Sequence, residues 1–145
     1  MLRELLAEVD TLAVRGATDR EISGLALDSR RVKPGEAFFA LPGVEADGAR
    51  FAAAAVAAGA AAVFGAPGLD AAALAPATLV EVAEPRLALA QAAGRFHDHP
   101  SRSLQLVAVT GTNGKTTTTY LVEAIAVAAG LRAGVIGTTG VRVAG

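Results

Sequence analysis

The stretch that decides the fold is Val107-Ala108-Val109-Thr110-Gly111-Thr112-Asn113-Gly114-Lys115-Thr116-Thr117-Thr118-Thr119-Tyr120. The residues from Leu104 to Val109 are mostly apolar and β-branched, which predicts a strand that is buried on both faces. The residues from Tyr120 to Ala129 are typical of a helix, and Gly130 is expected to end it. A glycine-bearing turn with a lysine therefore joins a strand to a helix, which indicates a phosphate-binding loop.

The residue types in this loop suit the binding of a nucleotide. Glycines let successive backbone N–H groups face one anion, and the start of the helix adds a partial positive charge. Lys115 is predicted to reach the β- and γ-phosphates, and the Thr116 hydroxyl is predicted to ligate Mg²⁺. The general motif has a glycine five residues before Gly114, where this sequence has Val109. The predicted strand before the loop and helix after it favour a nucleotide site over a chance Gly-Lys-Thr tripeptide.

The loop Thr110-Gly111-Thr112-Asn113-Gly114-Lys115-Thr116-Thr117 resembles the ATP loop of the Mur ligases, which commonly lack that first glycine. Folylpolyglutamate synthetases carry a similar loop, although they begin almost directly with it. The resemblance implies that Lys115 is catalytic and that Thr116 holds Mg²⁺. It implies an ATP-binding set formed by Gly111, Thr112, Asn113, Gly114, Lys115, Thr116 and Thr117.

The region before the loop alternates between helical and strand patterns. A short amphipathic helix is expected at Met1 to Leu6. Strands are predicted at Ile22 to Asp28, Ala37 to Leu41, Ala61 to Phe64 and Thr78 to Val82. Helices are predicted at Asp47 to Ala58, Leu69 to Leu74 and Pro85 to Phe96. Together these elements predict a small mixed sheet, with Phe38 and Phe39 in its core.

This first region also resembles the Mur ligases, in particular those that add the third residue of the peptidoglycan stem peptide. The resemblance rests on Asp28-Ser29-Arg30, Pro34-Gly35, Asp47-Gly48 and Gly59-Ala60, together with Val32, Phe38, Gly43 and Phe51. The dipeptide-adding ligases have a similar N-terminal pattern. The stretches Thr117 to Ala124 and Gly134 to Gly140 favour the branch that adds the third residue.

The resemblance implies an activity and its ligands. The substrate carboxylate of UDP-N-acetylmuramoyl-L-alanyl-D-glutamate would attack the γ-phosphate of ATP, and an amino acid, diaminopimelate or lysine, would displace phosphate from the acyl phosphate. The uridine end of the substrate would contact Leu27, Ser29, Val44, Glu45 and Ala46, the loop residues through their backbone.

We therefore expect an α/β chain in which a small mixed-sheet domain is followed by the start of a P-loop-type ATP-binding domain. The predicted division is a UDP-substrate domain at residues 1–98, a linker at 99–103 and an incomplete central domain at 104–145. Further metal ligands and a modified lysine would lie beyond Gly145. We expect such a fragment to be inactive alone, whereas a self-sufficient nucleotide-binding module is the alternative.

The composition of the chain argues against several classes of protein function. The net charge is −1, aromatic residues are few and no basic run is long, so nucleic acid is not an expected partner. No cysteine is present, and the longest apolar run, Phe51 to Phe64, falls short of the roughly 20 residues of a membrane span. We expect a cytoplasmic monomer without a membrane partner. His97 and His99 are interpreted as part of a solvated connection, with a metal site as the weaker alternative.

Overall fold

A five-stranded mixed sheet forms the centre of the first of two units, Met1–Leu104 and Gln105–Gly145. The structure is a computed structural model of the 145-residue chain, and it describes residues 1–43 and 47–143. The strands of the first unit are β1 (Thr11–Arg15), β2 (Leu25–Ala26), β3 (Ala37–Phe39), β4 (Ala62–Gly65) and β5 (Thr78–Val82). Their spatial order is β1-β5-β4-β3-β2. Strands β2 to β5 run parallel, and β1 runs antiparallel to β5.

Helices cover both faces of this sheet. The α-helices of the unit are α1 (Leu2–Leu6), α2 (Ala52–Ala57) and α3 (Pro85–Phe96), and 3-10 helices form at Ser29–Arg31, Gly48–Phe51 and Pro100–Ser103. Since successive side chains of a strand point to opposite faces, Phe38 packs with α2 and Phe39 packs with α1 and α3. Both phenylalanines are buried, with 1% and 0% of their surfaces exposed, so the prediction that they belong to the core is confirmed.

Most of the predicted elements of this unit are present, although several are shorter. The strand predicted at Ile22 to Asp28 is reduced to β2, because Asp28 already caps the following 3-10 helix. The helix predicted from Asp47 begins as a 3-10 turn and becomes α2 only at Ala52. The segment Leu69 to Leu74 forms turns and not the predicted helix. Strand β1 was not predicted.

As far as residue 143, where the described part of the chain ends, the second unit contains one helix and one hairpin. The helix α4 (Lys115–Ala128) starts five residues earlier than predicted, and Gly130 follows it with a φ of 78°, as expected for a helix stop. The strands β6 (Gly134–Gly137) and β7 (Gly140–Val143) pair antiparallel. The residues from Ala133 to Ile136 predict a strand, which is present as β6, whereas β7 was not predicted.

The segment before the loop differs from its prediction. Leu104 to Val109 was expected to be a buried strand, but it is not assigned as a strand, and Val107 is 72% exposed. The prediction is wrong for this structure because no strand in the described part of the second unit pairs with the segment. Among residues 1–43 and 47–143, no helix combines the length and the apolar character needed to cross a membrane.

Candidate functional site

The loop in front of α4 has the backbone shape that its glycines allow. Gly111 has a φ of 140°, and Gly114, the N-cap residue of α4, has a φ of 77°. Both values lie in the region that residues with a side chain rarely adopt. A Cβ atom at Gly114 would meet no atom within 4 Å, so the conformation, and not lack of space, is the reason for glycine here. The turn brings the N-terminal N–H groups of α4 to an exposed surface, where an anion could bind.

Lys115 folds back over this loop. Its Nζ donates hydrogen bonds to the carbonyl oxygens of Gly111, at 2.5 Å, and Thr112, at 3.2 Å. The ammonium group therefore lies beside the start of α4, where its charge adds to the partial positive charge of the helix end. A phosphate group at this position would meet a lysine and free backbone N–H groups together.

The threonines at the start of α4 supply hydroxyl groups in the same place. Thr116 and Thr117 are the second and third residues of the helix and are exposed, so the residues Gly111 to Thr117 form one continuous exposed segment. The described residues contain no group of three acidic, histidine or cysteine side chains that could hold a metal ion. A single hydroxyl fits Mg²⁺, because this ion usually takes one or two protein ligands and fills its shell with phosphate oxygens and water.

The only acidic side chain of the second unit, Glu123, already has a partner. Arg142 of β7 forms an ion pair with Glu123, and its guanidinium lies 3.9 Å from the centre of the Tyr120 ring. This contact fastens the hairpin to α4. Glu123 is thereby engaged in a structural pair and is a poor candidate for a metal ligand.

A second candidate surface lies at the carboxyl ends of β2 and β3. These neighbouring strands are parallel, so the segments that follow them begin at the same edge of the sheet. Leu27 follows β2 and is 56% exposed, and Ser29 begins the next 3-10 helix and is half-buried. Val44, Glu45 and Ala46, which were predicted to complete this surface, lie outside the described residues.

Asp28 and Arg30 hold the segment around Ser29 in shape. The Asp28 carboxylate accepts a hydrogen bond from the backbone N–H of Arg30, at 3.0 Å. It also accepts two from the Arg30 side chain, from Nε at 2.9 Å and from Nη2 at 2.7 Å. These bonds lower the pKa of the Asp28 carboxyl from 3.8 to about 2, the side-chain bonds of Arg30 being the largest cause. Arg30 therefore has a structural role in this segment.

The base of the loop after β3 is tightly held, which the sequence analysis did not predict. The Gly48 N–H donates to the Leu41 carbonyl at 2.9 Å, and a Cβ atom at Gly48 would lie 2.6 Å from the backbone N and O of Leu41. Arg86, in the first turn of α3, donates from Nη2 to the Pro42 carbonyl at 2.9 Å. The Asp47-Gly48 pair is the sequence signal for the contact between Gly48 and Leu41, whereas nothing in the sequence indicates the contact of Arg86.

The two histidines do not form a metal site with the residues that the structure describes. The Nε2 atom of His99 lies 3.0 Å from Oε1 of Glu8, beyond the end of α1. Asp98 and His99 adopt φ values of 59° and 52°, and the His99 N–H donates to the Gly94 carbonyl at 2.7 Å. His99 is therefore fixed against the first unit, which corrects the interpretation of it as part of a solvated connection.

The fold and these surfaces define an α/β protein of two units, the second of which carries a glycine-flanked loop with a lysine at the start of a helix. Two protein-family descriptions match the chain: "Mur ligase family, catalytic domain" over residues 21–97 and "Mur ligase middle domain" over residues 109–144. The first match alone spans more than half of the chain. The chain belongs to the Mur ligase family.

Two similar curated relatives have the same enzyme name. A UDP-N-acetylmuramoyl-L-alanyl-D-glutamate–2,6-diaminopimelate ligase from Syntrophomonas wolfei is 46% identical over 94% of this chain and 28% of its own length. The ligase of the same name from Geobacter sulfurreducens is 47% identical over 97% of this chain and 27% of its own length. The chain thus spans little more than a quarter of these relatives.

Solved structures show the same fold. A structure of MurF from Acinetobacter baumannii has a TM-score of 0.68 and 29% identity, and the match covers 88% of this chain and 27% of that one. A structure of a UDP-N-acetylmuramoyl-L-alanyl-D-glutamate–2,6-diaminopimelate ligase has a TM-score of 0.63 and 32% identity, with 84% of this chain and 25% of that one covered. The predicted α/β fold with a small mixed sheet is confirmed.

Proposed function

We propose that this chain is the N-terminal part of an ATP-dependent ligase that adds diaminopimelate to UDP-N-acetylmuramoyl-L-alanyl-D-glutamate in peptidoglycan synthesis. The observation that carries this proposal is the placement of Lys115 at the glycine-capped start of α4, in a chain that belongs to the Mur ligase family. The names of the similar curated relatives favour diaminopimelate over lysine as the added amino acid. They also favour this activity over that of the dipeptide-adding ligases, although this chain is similar to a solved structure of a D-alanyl-D-alanyl ligase from Acinetobacter baumannii as well.

In this proposal the two units divide the substrates between them. Residues 1–98 hold the uridine end of the substrate, and the region from residue 104 holds ATP. Leu27 and Ser29 support the first assignment because they follow a parallel strand, at the edge where ligands of open α/β sheets usually bind. Val44, Glu45 and Ala46 complete that site in the proposal through backbone contacts.

The proposed reaction begins with attack of the substrate carboxylate on the γ-phosphate of ATP, which leaves ADP and an acyl phosphate. The amine of diaminopimelate then forms the amide bond and releases phosphate. Phosphoryl transfer depends mainly on positioning and on neutralisation of charge, which are the contributions that Lys115 can make. Backbone N–H groups from Gly111 to Thr117 orient the phosphates, and Thr116 offers its hydroxyl to the Mg²⁺ that accompanies ATP.

We further propose that the enzyme acts as a cytoplasmic monomer with no nucleic-acid or membrane partner. The net charge of −1 and the scarcity of aromatic side chains support the proposal that nucleic acid is not a partner, since nucleic-acid-binding proteins are commonly basic.

Replacement of Lys115 by alanine in the enzyme, extended to the length of its relatives, tests this function. The side chain meets charge that develops during phosphoryl transfer, so its loss should lower kcat by roughly two to three orders of magnitude. The KM for the uridine-linked substrate should change little, because Lys115 does not contact that ligand in the proposal. Initial rates of phosphate release measure both constants.

Lys33→Ala is the matched control, because Lys33 is the only other lysine of the chain and lies in the first unit. It should leave kcat unchanged. If Lys115→Ala kept the kcat of the wild type, the loop would have no part in the mechanism. Tight MgATP binding with hydrolysis by residues 1–145 alone would instead favour a self-sufficient nucleotide-binding module.

A further inference from the structure

Strand β1 forms one edge of the five-stranded sheet, and β2 forms the opposite edge. Strand β1 pairs with β5 on one side, and its outward backbone N–H and C=O groups have no backbone partner among the described residues of the first unit. Such an edge is a template for one further strand. Leu27 and Ser29 follow β2, so the edge at β1 is separate from the proposed uridine site.

Apolar side chains beside this edge are incompletely covered. Val14 pairs with Val80, and directly paired residues point to the same face, so Val14 lies on the face that α3 covers. Val14 is nevertheless 37% exposed, and Leu87 of α3 is 46% exposed. A strand added outside β1 would therefore remove apolar surface from water as well as pair the backbone groups of the edge.

A small cavity of about 100 Å³ lies next to the start of β1 and the first two turns of α3. Its lining residues are Asp10, Ala83, Glu84, Leu87, Ala88 and Gln91. Half of these residues are apolar, and the other half carry oxygen atoms that can accept hydrogen bonds. None of them is basic.

The acceptors of this cavity have no donors among the described residues. The Oε1 atom of Gln91 is buried and has no hydrogen-bond partner there, which is unfavourable for a buried acceptor. None of the ion pairs between described residues includes Asp10 or Glu84. Two carboxylates and one amide oxygen thus surround a space that a positively charged donor would complement.

We propose that the outer edge of β1 binds an extended segment of a partner protein, and that a lysine or arginine of this segment inserts into the cavity. Strand addition supplies backbone hydrogen bonds, and a pocket for an alternate side chain supplies specificity. An added strand lies about 5 Å outside β1, so a long side chain is needed to reach the cavity. Its methylene stem packs on Leu87 and Ala88. Its charged end donates to Asp10, Glu84 and Gln91.

A second copy of this chain is a poorer occupant of the same edge. Strand β1 carries one basic side chain, Arg15, whose Nη2 atom lies 3.5 Å from Oε2 of the buried Glu81. Transfer of Arg15 to a neighbouring copy would leave the Glu81 carboxylate buried without its charged partner, which is unfavourable. The positive charge therefore comes from a different protein.

Fluorescence anisotropy of a labelled peptide with the 145-residue chain tests this surface. The probe is a seven-residue peptide with threonine at the odd positions, valine at the second and sixth and lysine at the fourth. Its control has norleucine in place of lysine. The norleucine peptide should bind roughly tenfold more weakly, because it keeps the strand bonds and the apolar stem but has no charged donor.

Variants of the chain test the acceptors of the cavity. Asp10→Asn and Glu84→Gln should each raise the Kd for the lysine peptide roughly two- to fivefold. Asp70→Asn is the matched control, because Asp70 is exposed and its neighbours Leu69 and Ala71 pack on the opposite face of the sheet. It should bind as the wild type does. The comparison of the two peptides uses the unaltered chain, so it decides even where a variant fails to fold.

Amide hydrogen exchange provides the second readout. The lysine peptide should slow exchange in β1 and leave β4 unchanged. Absence of binding of the lysine peptide, equal affinity of the two peptides, or binding without protection of β1 would each overturn the proposal. Exchange in β1 that slows with protein concentration when no peptide is present would show that a second copy occupies the edge, and this result would overturn it as well.

Discussion

At the scale of single residues, Asp28 shows how one carboxylate can fix a short segment. Its Oδ1 atom accepts from the backbone N–H and from Nε of Arg30, and its Oδ2 atom accepts from Nη2. The three residues Asp28, Ser29 and Arg30 therefore form a closed unit, with the ends bonded to each other and Ser29 between them. The sequence alone indicates a turn here, but it does not reveal that the arginine is bonded within that turn and so is not offered to a ligand.

The lowered pKa of Asp28 predicts a pH dependence of stability. The carboxyl titrates near 3.8 in the unfolded chain and at about 2 in the folded chain. Its contribution to stability is therefore complete above about pH 4 and is lost as the pH falls toward 2. Asp28→Asn should lower the thermal midpoint at pH 7, and its difference from the wild type should shrink between pH 4 and pH 2. Circular dichroism melts across that range measure the effect.

Asp70→Asn is the matched control for Asp28→Asn. Asp70 accepts a similar bond from the Ala72 N–H, at 2.9 Å, but has no arginine partner among the residues that the structure describes. Asparagine can keep the backbone bond at both sites. A difference between Asp28→Asn and wild type that stays constant from pH 7 to pH 2 would contradict the assignment of the lowered pKa to Arg30.

At the scale of elements, the hairpin of β6 and β7 depends on contacts outside its own ladder. A two-stranded hairpin is marginal in water without further packing. Arg142 provides such packing, because it places its guanidinium over the Tyr120 ring and pairs with Glu123. One side chain of β7 thus joins the hairpin to two successive turns of α4.

Arg142→Ala should loosen the hairpin. The loss of a cation–π contact and a partly buried ion pair is worth about 1–2 kcal/mol, so amide protons of β7 should exchange roughly tenfold faster. Hydrogen exchange followed by mass spectrometry measures this, and the core strands β4 and β5 should not change. Arg132→Ala, at an exposed position between α4 and β6, is the control. Equal protection of β7 in both variants would show that Arg142 does not hold the hairpin.

The elements also show what the sequence could predict. Strands β4 and β5 and the helix α3 were predicted closely, because continuous apolar runs and a proline at the first helical position are local signals. Strand β1 was missed, since the strand that it pairs with, β5, lies more than sixty residues away in the chain. The prediction for Leu104 to Val109 was wrong for the opposite reason: the segment has the composition of a strand, but a strand also needs a neighbour to pair with.

Some features of the candidate sites could likewise be predicted from the sequence, and others could not. The shape of the loop from Gly111 to Thr117 could be predicted because the glycines that allow it lie within the loop itself, whereas its binding of ATP and Mg²⁺ stays a prediction. Arg86 could not, because it reaches Pro42 across 44 positions of the chain and only the folded sheet brings them together. Ligand contacts of Leu27 and Ser29 stay a prediction.

At the scale of the whole molecule, the last residues of the first unit are bonded to the rest of that unit and form regular structure. His99 bonds to Glu8, and the segment that was predicted as a linker at 99–103 contains the 3-10 helix Pro100–Ser103. The contact-based unit extends to Leu104. The exact border between a substrate domain and an ATP domain stays a prediction, but the contacts of His99 bear on where the chain can be cut.

A shortened chain of residues 1–104 should be more stable than one of residues 1–98. The longer chain keeps the His99 to Glu8 bond, which should contribute about 1 kcal/mol to the free energy of unfolding. Both should unfold cooperatively in urea, and both should bind the uridine-linked substrate and ignore ATP. His99→Ala in the longer chain should reduce its stability to that of the shorter one. Identical urea midpoints for all three would show that His99 contributes nothing to the unit.

The contact between Glu8 and His99 also brings residues near the two ends of the first unit close together. Met1 and Glu4 from the start of the unit and Arg95 and Asp98 from its end line one cavity of about 280 Å³. A short peptide could bridge these ends, and new ends could be opened at Gly68, an exposed turn residue at which an added Cβ atom would meet nothing within 4 Å. We expect such a circular permutant to keep every strand pairing of the sheet, and we expect the first unit to tolerate insertion into a loop of another protein.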